Sequence, residues 1–367
     1  MNPPKGSNLS PEENQARAAS DANQAVDSSE TNPPPGFGAA WRVAIAEYLG
    51  LVVALAILII GFSLATDHFF TRTNFITIAN QIPAFLLVAI AMTYVLMIAQ
   101  IDLSVGSVMA FSAAVLGVAM VDGNWSLPAA AAACLGVGLI CGLINGAISV
   151  GWKIPSFIVT LGMLEMARGG AYLVTDSQTK YIGARIESLA APLPGIGFST
   201  AALTAVGVVI LGQLVLSCTL LGRYVTAMGH NEQVVRYSGI DPRPAKIAVF
   251  AMAGFFAALA GIFQTSRLGS ADPNGGIGLE LSAIAAVVIG GTSLMGGRGS
   301  VINTFLGVLI ITVLQTGLAQ VGATEPTKRI ITGSVIIIAV IADVYRHRLG
   351  TKEQPRSTSA KSVPASG

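Results

Sequence analysis

The sequence predicts an all-α polytopic membrane protein of about ten transmembrane helices with a broken or re-entrant Gly-rich segment, and three observations carry that reading. Of 367 residues, 53% are hydrophobic and only 11% charged, with a mean hydropathy of +0.68, well outside the range of soluble domains. The charge is also segregated: residues 48–345 hold 25 of the 40 Asp, Glu, Lys and Arg side chains, so the middle of the chain is left with long uncharged runs. Those runs are each about 20 residues, the length a helix needs to cross about 30 Å of hydrocarbon. They lack the alternation of a membrane barrel, and lipid requires backbone groups to be satisfied within the segment.

Residues 1–44 carry Pro3, Pro4, Pro11 and Pro33, Pro34 and Pro35 among Ser, Asn, Asp and Glu, with no apolar period, which predicts a disordered cytoplasmic tail. The first apolar run begins near Tyr48 and has no small-residue cleavage site after a short core, so it is expected to stay as a membrane helix. Spans are expected at 48–66, 82–100, 103–121, 128–150, 155–175, 198–221, 246–266, 279–295, 301–320 and 328–345. They make up a transmembrane domain over 45–346, followed by a disordered basic tail at 347–367. With ten spans and an inner N-terminus, 14 Lys and Arg fall inside against six outside, which places both termini in the cytoplasm. The tightest point of that count is 96–106, where two spans turn with almost no polar loop.

Glycine carries a second message. Gly138, Gly142 and Gly146 are spaced by four and share one helix face, where small residues let helices approach closely. The stretch 290–300 (GGTSLMGGRGS) instead interrupts an apolar segment. Unwound backbone at membrane depth persists only where it is buried in protein or lines a cavity, so a broken helix beside a pathway is expected there.

Several classes of chemistry are excluded. A net charge of +2 gives no dense cationic field for nucleic acid. The three cysteines lie in apolar runs without CxxC spacing, and no HExxH, GxSxG or GxxxxGK[ST] pattern occurs, so no catalytic residue, metal site or cofactor is expected in this chain. Ionisable groups inside or beside the apolar segments are then the functional candidates: Asp102, Glu165, Arg168, Glu280, Arg298 and Asp343. Glu165 and Arg168 stand three apart and can neutralise each other or meet a substrate. Asp102 begins a span beside Ser104, either as a helix cap or as a pathway lining. Glu280 and Asp343 stand near span ends, at the membrane interface. Asn80, Gln81, Asn145, Gln264 and Asn303 can line a passage or act as glue between helices. Finally, the polar stretch 222–246 spells one short helix outside the membrane, with Asn231 as its cap, 232–237 as its body, and Ser238 and Gly239 as its stop. It is either a docking surface or a solvated connector.

Five blocks in order resemble the sugar-type branch of ABC importer permeases, over roughly residues 70–345. They are Ile101-Asp102-Leu103-Ser104-Val105-Gly106-Ser107, Gly142-Leu143-Ile144-Asn145-Gly146, Phe157-Ile158-Val159-Thr160-Leu161-Gly162 with Arg168-Gly169, Gly222-Arg223-Tyr224 with Gly229, Asn231-Glu232, Arg236 and Ser238-Gly239-Ile240, and the run AAVVIGGTSLMGGRG over 285–299. The resemblance implies a permease subunit of a bacterial inner-membrane importer for a monosaccharide. Its implied partners are a second permease copy, a cytoplasmic ABC ATPase and a periplasmic sugar-binding protein. It also implies that Gly229, Asn231, Glu232, Arg236, Ser238 and Gly239 couple the chain to the ATPase. The substrate-pathway candidates are Asp102, Ser104, Asn145, Arg168, Gln264 and Asn303. Departures from the family pattern fall at Gln100, His230, Gln233-Val234-Val235 and Asn303. The alternative is an ion-coupled secondary sugar carrier, with Asp102 and the Glu165–Arg168 pair as its ion-linked groups.

Overall fold

The structure, a computed structural model, describes the backbone of residues 37–352 and the side chains of 48–335 with three further positions in the last helix. The expected tails lie for the most part outside the described residues. Packing divides the chain into residues 1–49 and 50–367. The first unit holds the opening turns of helix α1 (Phe37–Ala65), and the second holds the bundle.

Each expected apolar segment falls on a helix. After α1 come α2 (Arg72–Met97), α3 (Val105–Val121), α4 (Leu127–Gly151) and α5 (Ser156–Thr175). A short strand β1 (Lys180–Tyr181) and one helical turn α6 (Ala184–Glu187) lead to α7 (Thr200–Cys218) and α8 (Leu220–Tyr237). The chain continues through α9 (Arg243–Leu268), strand β2 (Ser270–Ala271), α10 (Leu279–Ile289), α11 (Val301–Gln320) and α12 (Glu325–Lys352). Seven helices among the described residues are long and apolar enough to cross a membrane, which makes this a multi-pass membrane protein.

The structure sharpens these expectations in detail. The segments 103–121 and 279–295 form helices of only 17 and 11 residues, α3 and α10, about 26 and 17 Å long, short of a straight crossing. The span expected at 198–221 ends at Cys218, because the chain breaks at Thr219, whose hydroxyl accepts from the Gly222 amide and starts α8. The all-α class holds, with one two-residue antiparallel pair, β1 and β2, that ties the loop after α5 to the end of α9.

The buried centre is α2, whose residues from Leu86 to Ile98 are almost entirely inaccessible. It packs against α7, α9, α10 and α11. Polar groups that would be orphaned in hydrocarbon find partners across these contacts. Thr93 and Thr304 share a hydroxyl–hydroxyl bond of 2.7 Å, and Tyr94 donates to the Gly212 carbonyl. The most extensive pairing joins α4 and α9. A Cβ on Gly254 would fall 2.0 Å from the Gly138 carbonyl, and one on Gly142 would fall 2.2 Å from the Phe250 carbonyl. The Gly138–Gly142 face is therefore where two backbones touch, as the four-residue spacing predicts.

Candidate functional site

The polar segment after α7 is helical from Leu220, earlier than its composition suggests, and is kinked at Asn231, whose backbone (φ −161°, ψ 102°) leaves the helical region. The sequence puts a cap there, and the side chain acts as one: Asn231 Oδ1 accepts from the amides of Gln233 (3.0 Å) and Val234 (3.2 Å). At the other end the Ile240 amide returns to the Val235 carbonyl and Gly239 takes φ +80°, closing the helix as Ser238-Gly239 predicts. Glu232 pairs with Arg236 at 2.7 Å and with Lys246 on α9. Partial burial acts to raise the Glu232 carboxyl, but the bonds and charges of Lys246 and Arg236 outweigh it and hold it below the usual carboxylate value. Val234 and Tyr237 point outward, with Tyr237 at 87% exposure.

Gly229 fixes this segment to the bundle. A Cβ there would lie 1.9 Å from the Met97 carbonyl and 2.2 Å from the Gly297 amide, and that amide itself donates to Met97 O at 2.9 Å. Three pieces of backbone thus meet at one point: α8, the end of α2 and the Gly-rich loop 290–300. The loop connects α10 to α11 and packs on α8. Its far end is capped by Gln213 of α7, whose Oε1 accepts from the amides of Val301 and Ile302 and from the Ser300 hydroxyl.

Of the six pathway candidates, the structure brings three together. Asp102 is 1% exposed and its Oδ1 accepts from the Ser104 amide (2.9 Å) and hydroxyl (2.6 Å), while Asn145 Nδ2 donates to the same hydroxyl at 2.9 Å. Around them the unwound stretch 98–104 is satisfied by α5. The Ile101 amide donates to Ser156 Oγ and the Leu103 amide to Thr160 Oγ1, both at 3.1 Å. Asp102, Ser104 and Asn145 form a buried bracket holding an irregular backbone.

Of the two readings open for Glu165 and Arg168, mutual pairing or a substrate contact, the pairing is not seen among the described residues. Arg168 Nη1 donates instead to the carbonyls of Pro273 (2.6 Å) and Gly275 (3.0 Å), because that loop has no ladder to satisfy its oxygens and a guanidinium is their strongest available donor. Glu165 lies on the exposed face of α5. Asn303 is buried in α11. Asn80 is glue, with Nδ2 donating to Gly197 O (3.1 Å) and Oδ1 accepting from the Ser199 amide (2.8 Å).

Gln264 of the six, together with Gln81, borders a polar cavity. It measures about 240 Å³ and is also lined by Arg267, Ser282, Thr312 and Gln315. Sequence reasoning passed over these last four; the signal was present in Gln315 and Thr312, polar side chains four turns or less into an apolar span. A larger groove of about 440 Å³ between α1, α2, α7 and α11 is lined by hydrocarbon alone and suits acyl chains, not a hydroxylated solute.

A family model described as branched-chain amino acid transport system / permease component matches residues 74–340. The ribose import permease protein RbsC of Haemophilus influenzae is 37% identical over 305 residues, covering 82% of this chain and 93% of that protein. The fructose import permease protein FrcC of Rhizobium meliloti is 34% identical over 306 residues, 80% and 84% of the two chains. The L-arabinose ABC transporter permease protein AraH of Azospirillum brasilense is 30% identical over 334 residues, 88% and 97%. No solved structure matches the chain. The family description and the relatives' names differ in cargo and agree on the permease role. With that role shared along nearly the full length of each relative, the chain belongs to the ABC importer permease family, beside its sugar permeases.

Proposed function

We propose that this chain is the membrane permease subunit of an ATP-binding-cassette importer that carries a monosaccharide across the bacterial inner membrane. The observation that carries the reading is the exposed, capped helix 232–237, joined to the bundle through the Gly229 contact. The same residues that present Asn231, Arg236 and Tyr237 outward are backed by backbone of α2 and of the loop 290–300, so a displacement of α8 has two routes into the spans. Nucleotide hydrolysis belongs to a cytoplasmic ATPase docked on that helix, and sugar arrives from a periplasmic binding protein. A second permease copy completes the passage, and both termini face the cytoplasm. No bond is made or broken in this chain; it alternates between outward and inward access. The ion-coupled alternative loses one of its two ion-linked groups, because Glu165 and Arg168 do not pair.

The test is reconstitution with the ATPase and binding protein in lipid vesicles. Asn231→Arg, which removes the cap and adds charge at the docking surface, is expected to abolish sugar-stimulated ATP hydrolysis while the protein still inserts. Stimulation at the wild-type level would remove the docking assignment, and sugar accumulation without the ATPase would remove the importer reading.

A further inference from the structure

The cavity lined by Gln81, Gln264, Arg267, Ser282, Thr312 and Gln315 has a position in the bundle that gives it a role. Five helices line it, and the four that contribute its polar side chains each do so from the part remote from α8, while α3 adds Met109. The C-terminal end of α2 meets Gly229 through Met97, whereas Gln81 stands in the other half, sixteen residues before Met97. Helix α9 follows α8 directly, and Gln264 and Arg267 occupy its last turn and a half. Helix α11 starts beside the Gly-rich loop and supplies Thr312 and Gln315 near its other end. Ser282 stands in the first turn of α10, whose last residue leads into that same loop. The cavity therefore lies at the end of the bundle opposite the coupling segment, its polar lining within about 14 Å of the helix ends.

Its walls are chemically consistent. Gln81 and Gln315 are exposed and make no hydrogen bond among the described residues, and Gln264 Oε1 meets only Arg267 Nη2, at 3.4 Å. Unpaired amides within spans are stable only against water or a polar solute. Amides both donate and accept, hydroxyls do the same, and Phe85 adds an apolar surface beside them. That combination matches a molecule with a hydroxyl on each carbon and C–H faces between. A volume of about 240 Å³ has room for one such ring.

We propose that this cavity is an outward-side subsite for a single monosaccharide, in which the three glutamine amides exchange hydrogen bonds with sugar hydroxyls before passage toward α8. The proposal rests on the import function above. It is tested in vesicles holding the complete complex, with radiolabelled ribose, arabinose and fructose as probes. Gln81→Leu and Gln315→Leu remove amides that hold no other residue, and each is expected to raise the KM for uptake at least tenfold. Thr204→Val, a polar-to-apolar change on the exposed face of α7, is expected to leave it unchanged. Wild-type complex that imports none of the three sugars overturns the import reading itself. Wild-type complex that imports one, with both Leu variants at the wild-type KM, overturns the subsite alone. Should a Leu variant fail to insert, Gln315→Cys in a chain with Cys134, Cys141 and Cys218 replaced by Ala decides. Modification by a charged thiol reagent from the binding-protein side, slowed by the transported sugar, upholds the subsite; a thiol that is unreactive, or equally reactive with sugar present, overturns it.

Discussion

Arg168 and Glu165 show how much a single side chain's choice of partner depends on distant backbone. Spacing alone offers them to each other, yet the guanidinium crosses to the 272–278 loop and takes two carbonyls there. Each such charge-assisted bond contributes about 1.5 to 3 kcal/mol, so Arg168→Ala is expected to lower the thermal midpoint clearly, while Glu165→Gln leaves it within error. Equal losses in a detergent melt would restore the ion pair. Glu232 gives a pH dependence with a definite sign. Its folded-state carboxyl is depressed by Lys246 and Arg236 against the opposing effect of burial, so its contribution is present above the unfolded carboxylate value of about 4.3 and disappears as pH falls through the lower folded value. Both pairs are partly exposed, and their worth is only about 0.5 to 1 kcal/mol. The difference in stability between wild type and Glu232→Gln is expected to be flat from pH 7 to 5 and to vanish in stronger acid. A difference that grows on acidification would contradict the ion pairs.

Among the elements, α8 combines an outward surface with a rigid seat. Tyr237 touches nothing that holds the fold and Gly229 touches backbone on two sides, so the two positions separate docking from transmission. Tyr237→Ala is expected to weaken ATPase association several-fold with an unchanged melting midpoint. Gly229→Ala forces a methyl into the Met97 carbonyl, an overpacking penalty of about 1 to 3 kcal/mol. It is expected to leave ATPase binding measurable while sugar-stimulated hydrolysis falls. Pull-down with the ATPase reads the first quantity and phosphate release the second; loss of both in either variant would merge the two roles. The short helices α3 and α10 belong to the same argument, since the unwound stretches beside them are held by other helices: 98–104 by the Ser156 and Thr160 hydroxyls of α5, and 290–300 by the Met97 carbonyl of α2 and by Gln213 of α7.

For the whole molecule, sidedness is the quantity to measure. A cysteine at Tyr237, in a chain lacking the native three, is expected to react with an impermeant maleimide in inside-out vesicles and not in intact cells. One at Asn274, in the loop held by Arg168, should do the reverse; the same sidedness for both would invert the scheme. The membrane class, the helical character of the apolar segments, the Gly138–Gly142 contact face and the Asn231 cap were all readable from the chain, because hydropathy, a four-residue glycine spacing and a cap's reach to the second and third amides are properties of a few consecutive residues. The helix breaks at 98–104 and 290–300 were readable only as polar or glycine-rich interruptions. The bracket of Asp102, Ser104 and Asn145, the destination of Arg168 and the grouping of Gln81, Gln264 and Gln315 were decided by the packed bundle. Their partners stand tens to hundreds of residues apart, and in a bilayer a polar side chain goes to whichever neighbour the helix crossings bring within reach.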